Sequence, residues 1–148
     1  MDSVLRELLA SFMIEDKKAT DELLGREEGS DGPISSFGAR IVAAYCLGLI
    51  SRMEYEDLLL IKKIRNKFAH KNFGFTFENS EIIKWCNKLQ TPNELDQVLP
   101  PEIDNPNGRF AFTIYYLSPL LTLRVFDAKK EKRIVRDKPE IGQVVQIN

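Results

Sequence analysis

The chain has 148 residues, of which 43% are apolar and 29% charged, the make-up of one ordinary globular domain. Lys and Arg number 21 against 22 Asp and Glu, a net charge of -1, which argues against a protein that coats DNA through a strong basic excess. With one His and two Cys forty residues apart, neither a zinc site, a disulfide framework nor a Ser-His-Asp triad is expected, and no metal or cofactor is assigned. Asp2 and Glu7 stand where a secretory leader would be basic. The longest apolar stretches, 41–50 and 110–123, fall short of the roughly 20 residues a bilayer demands. A cytoplasmic protein with no membrane partner is the expectation.

Leu5, Leu8, Leu9, Phe12 and Met13, resumed by Leu23 and Leu24, form one apolar stripe and predict a first helix of about twenty residues from Asp2. Gly25, the acidic run 27–32 and Pro33 end it. Ser35 or Ser36 can cap a second helix, in which nearly every position is apolar and Gly38, Ala39, Ala43 and Gly48 are small. Such a helix is expected to be central and buried on several sides. Ser51 and Glu54 have capping-box spacing, so a third helix starts at once and runs antiparallel to the second, through Leu58, Ile61, Ile64 and Phe68 to about His70.

Residues 72–77 read as a loop or short extended piece with alternating Phe73, Phe75 and Phe77. Asn79 or Ser80 caps a fourth helix carrying Ile82, Ile83, Trp85, Cys86 and Leu89, and residues 91–106, with four prolines, read as a loop. Asn107 can cap a fifth helix from Arg109 to about Lys132, which Pro119 should kink near residue 115. Cys46 and Cys86 sit in apolar patterns and read as buried structural thiols. The fold class is all-α: a single bundle of about five helices over residues 1–133, followed by a partly ordered tail, 134–148.

Chemistry concentrates at the end of the third helix. At 100° per residue, Arg65 falls inside the apolar arc of Leu58, Ile61, Ile64, Phe68 and Ala69, whereas Asn66 and His70 lie one turn apart on another face, flanked by Lys62 and Lys63. An arginine cannot shed its charge, so one in the core must pair with a carboxylate, bond helix-end carbonyls, or open into a cleft. Two readings follow: a buried salt bridge to Glu54, Asp57 or an acid of the first helix, or a cleft arginine that binds phosphate. Its guanidinium is expected to be mostly buried and paired with at least one carboxylate or helix-end carbonyl.

Arg65, Asn66 and His70 resemble the Arg–polar–x3–His signature of HEPN domains, small helical bundles. The run Ser36-Phe37-Gly38-Ala39-Arg40 through Leu47-Gly48-Leu49-Ile50, with Leu60-Ile61-Lys62-Lys63-Ile64-Arg65-Asn66-Lys67-Phe68-Ala69-His70, is similar to the mannitol operon repressor family. The second resemblance implies a transcription regulator without a recognisable DNA-reading module. The first implies, as the alternative, a metal-independent ribonuclease in a toxin or defence role. In it Arg65 would stabilise phosphorane charge, Asn66 orient the phosphate, and His70 move the proton of the 2′-hydroxyl, with the motifs of two subunits facing one cleft.

Charge is unevenly spread. Residues 1–36 carry four bases and nine acids, residues 62–71 five bases and no acid, and residues 124–138 seven bases and three acids. If the two basic segments converge, they make a patch for an RNA or DNA backbone, with Lys62, Lys63, Lys67 and Lys71 as contacts and Phe73 or Phe75 stacking bases. Otherwise they are solvated helix faces. The tight turn 50–54 has helix-turn-helix length, but the basic residues lie at the wrong end of the helix that follows it. The partners expected are a second copy of the chain, a nucleic-acid backbone and a regulatory protein.

Overall fold

Leu5, Leu8, Leu9 and Phe12 bury one stripe of the first helix, α1 (Asp2–Phe12), and that stripe organises everything else. The computed structural model describes residues 1–26, 31–69, 76–94 and 99–136. The further helices are α2 (Lys17–Leu24), α3 (Phe37–Cys46), α4 (Arg52–Ala69), α5 (Ser80–Cys86), α6 (Thr91–Glu94) and α7 (Pro106–Lys130). All regular structure among the described residues is helical. Helix α1 packs chiefly against α7 and across α3, and α4 packs on α3 and α7 while touching α5 and α6.

Direction follows from single contacts. Ser118 reaches the sulfur of Met1, and the Arg133 amide donates to the carbonyl of Phe12, so α1 and α7 run parallel. Glu54, near the start of α4, pairs with Arg124, whereas Phe68 near its end meets Phe77, which meets Phe110. Helix α4 is therefore antiparallel to α7. The main core joins the α1 stripe to Leu24, Ile41, Leu58, Ile61, Leu117, Leu121 and Val125, and a second, smaller cluster holds Ile64, Ile82, Trp85 and Cys86.

Local chemistry sets the boundaries. Ser36 caps α3 by accepting from the Ala39 amide, and Ser51 and Glu54 exchange both hydrogen bonds of a capping box. Gly48, at φ +73°, makes the turn between α3 and α4, where a side chain would be strained.

Three expectations about helix ends need correction. The first helix is two, because Asp16 caps a new one by accepting from the Ala19 amide after Met13 turns extended. Residues 91–106 include the short helix α6. The cap of α7 is Asn105, which accepts from the Gly108 amide and leaves Pro106 at the first helical position, where a missing N–H does no harm.

Helix α3 is also not buried all round: Val42, Cys46 and the C-cap residue Leu47 reach solvent while Gly38, Arg40, Ile41 and Ala44 face inward. Of the two thiols expected to be buried, only Cys86 is. Burial pushes its thiol above the ordinary range, against a smaller pull downward from Arg109. A thiol reagent at neutral pH should therefore label Cys46 in the native chain, with Cys86 reacting only on unfolding; two equally fast thiols would contradict this packing.

Candidate nucleic-acid interface

The last turns of α4 carry the residues singled out by sequence, and α3 decides how they are presented. The two helices run antiparallel, with Tyr45 stacked on Tyr55 at 4.5 Å and the Phe37 ring 5.5 Å from the Arg65 guanidinium. Phe37 is the first residue of α3. Helix α4, with eighteen residues to the ten of α3, thus outruns its cover at Arg65.

Arg65 is accordingly exposed, and among the described residues no carboxylate pairs with it. This corrects the expectation of a buried, partnered guanidinium. Its angular position does match that of buried Ile61 and Ile64, but Arg65 lies level with the first residue of α3, and no α3 residue covers the helix beyond it. Phe68 and Ala69, beyond it, are also exposed, although Phe68 keeps a ring contact with Phe77.

Asn66 is exposed beside Arg65. Lys62 is half-buried and lies across Gly38, where a Cβ would fall 2.2 Å from its ammonium; any larger residue there would dislodge it. The Lys63 ammonium sits 4.3 Å from the centre of the Trp85 ring, and Lys67 pairs with Glu81 at 2.8 Å. His70 and Lys71 lie outside the described residues, as do Phe73 and Phe75. Phe77 is described, and packs between Phe68 and Phe110.

The second basic segment does not converge on this one. From Glu54, which holds Arg124, to Phe68, which reaches the start of α7 only through Phe77, is fourteen residues of helix, about 21 Å. The described residues of the two basic segments occupy opposite ends of the bundle.

Lys129 and Lys132 instead line a groove of about 910 Å³ along α1, together with Arg6 and Arg40. There Arg6 pairs with Asp21, Arg40 with Asp2 and Lys132 with Glu15, so the groove carries its own counter-ions.

Sequence reasoning placed Glu54 and Asp57 as partners for Arg65, and both are buried elsewhere. Glu54 is held by Arg124 and by its own cap, and Asp57 accepts from the amides of Gln90 and Thr91 and from the Thr91 hydroxyl. These commitments pin the N-terminal half of α4 inside the bundle. A groove-reading helix needs that half free.

The fold and surface together define an all-α bundle with a basic, protruding helix end. The chain matches the family described as mannitol repressor over residues 3–136 and belongs to that family. It is 36% identical over 53 residues to the mannitol operon repressor of Escherichia coli strain K12, and equally to that of E. coli O6:H1. The match covers 36% of this chain and 27% of each relative's length. No solved structure matches the chain. No described helix is long and apolar enough to cross a membrane.

Proposed function

We propose that this chain is a repressor-type transcription regulator that works as a homodimer through backbone or protein contacts, without reading a DNA groove. The observation that carries the reading is the overhang of α4 beyond α3, which leaves Arg65 and Asn66 in solvent with Lys62, Lys63 and Lys67 around them. Family membership supports the regulatory role, and the buried N-terminal half of α4 argues against a recognition helix.

Binding to RNA or DNA through this end should be weak and fall steeply with salt, because each neutralised phosphate releases counter-ions. Lys63→Gln and Lys67→Gln should each lower the log–log salt slope by about 1 while leaving the fold intact. Fluorescence anisotropy across a salt series measures this. Salt-independent or absent binding to both nucleic acids would overturn the backbone contact and leave a protein partner.

The exposure of Arg65 and Asn66 on one turn also favours the ribonuclease reading over a structural salt bridge. The same binding assay, run with RNA and chelator, separates the two. A nuclease would release products ending in a cyclic phosphate, and lose that activity in His70→Ala and Arg65→Ala. Arg65→Ala should be within about 0.5 kcal/mol of neutral for folding, as befits an exposed side chain. RNA left intact under these conditions eliminates the nuclease and leaves the regulator.

A further inference from the structure

Helix α7 buries Thr113, Leu117, Leu121 and Val125 and turns a second apolar stripe to solvent. Tyr115 is 79% exposed, Leu123 63% and Phe126 59%, with Pro119 exposed between them and Phe112 half-buried at the end of the row. At 100° per residue these five fall within about 80° of one another and span fourteen residues, about 21 Å of helix. Scattered surface leucines are ordinary; a continuous row of large apolar side chains on a soluble bundle marks a contact surface. Aromatic side chains dominate it, as they do the centres of protein interfaces.

We propose that this stripe is the homodimer interface, formed by antiparallel pairing of α7 with α7 of a second copy about a two-fold axis at Pro119. The inference rests on the reading of the chain as a homodimer and supplies the face. In this register Leu123 meets Tyr115 of the partner subunit, and Phe126 meets the partner's Phe112, so the row is complementary to itself, as a two-fold contact requires.

Charge selects the antiparallel sense. The helix ends in exposed Lys129 and Lys130 and begins just after exposed Glu102 and Asp104. Antiparallel pairing brings the basic end of each copy to the acidic start of the other and opposes the helix dipoles favourably; parallel pairing would set like against like. The α3 face is a poorer candidate, since its exposed apolar residues, Val42 and the C-cap Leu47, lie on and just after a short helix and come with no such polarity.

Sedimentation equilibrium of the full chain at tens of micromolar is the test, with circular dichroism to confirm unchanged helix content. The wild type should sediment at twice 17.0 kDa. Leu123→Glu should weaken association at least tenfold, and Leu47→Glu should leave it unchanged. Lys130→Glu should weaken it, and adding Glu102→Lys should restore it. Pro119→Cys in a Cys46→Ala background should form a disulfide-linked dimer on mild oxidation, since the axis brings the two positions together. A dimer broken by Leu47→Glu and indifferent to Leu123→Glu would overturn the α7 interface while leaving the dimer. A monomeric wild type would overturn both. So would a wild type that dimerises only when cut after Arg136, because the chain's own residues 137–148 would then be the occupant of the stripe.

Discussion

Asp57→Ala is expected to lower the unfolding free energy by about 3–5 kcal/mol, among the largest losses any single side chain here can cause. Asp57 is fully buried and accepts three hydrogen bonds: from the Gln90 amide at 2.8 Å, the Thr91 amide at 2.8 Å and the Thr91 hydroxyl at 2.6 Å. One carboxylate therefore serves the free donors at the start of α6, in the way an N-cap residue would, although it comes from α4. Hydrogen bonds to a charged group contribute roughly 1.5–3 kcal/mol each, and a buried donor left without an acceptor costs about as much again as it gained. Thr91 is itself fully buried, so water cannot readily replace the lost oxygen atoms. Thr91→Val removes a single bond and should cost only about 1–2 kcal/mol. Urea unfolding of the three proteins tests the ranking, and an Asp57→Ala midpoint equal to the wild type would show that the cap contributes nothing.

Arg40→Ala should cost about 3 kcal/mol, and Arg40→Lys most of that. The guanidinium, 9% exposed, points its three donors at three different segments: to Asp2 at 2.7 Å, to the Leu24 carbonyl at 2.9 Å and to the Ile34 carbonyl at 3.2 Å. It thereby ties the start of α1, the end of α2 and the residues before α3 into one corner. A lysine carries the charge to Asp2 but is a single point and cannot reach both carbonyls at once. Removal leaves those carbonyls beneath the corner without a donor, a desolvation loss separate from the ion pair. Chemical denaturation of the Ala and Lys variants should place both well below the wild type. Full recovery by lysine would mean that only the Asp2 pair matters.

What could be read from sequence was whatever depends on near neighbours in the chain. The Ser36 cap and the reciprocal Ser51–Glu54 bonds are three residues long, and the structure has both. The buried faces of α1 and α7 follow helical periodicity closely, because long neighbours cover them along their length. The failures share one physical origin. Arg65 has the angle of a core residue, but its burial depends on how far α3 extends, and periodicity carries no information about a neighbour's length. Cys46 and Val42 sit in an apolar run whose outer side has no described helix over it. Asp57 was weighed as a partner for the arginine eight residues on, whereas its actual partner, Thr91, lies 34 residues away. The break at residues 13–16 interrupts a stripe that continues across it, so the apolar pattern hid the second cap at Asp16.

The parallel pairing of the first and last helices bears on how the chain reaches this state during its synthesis. Leu5, Leu8 and Leu9 are made about a hundred residues before the helix that covers most of them, and the sulfur of Met1 meets Ser118 across 117 positions of sequence. Glu54 likewise waits seventy residues for Arg124. Until then the nascent chain displays an uncovered leucine row and a carboxylate without its counter-ion, a state that invites chaperone capture or premature association. The bundle is thus closed by α7, and a chain stopped before that helix would leave the leucine row without its main cover.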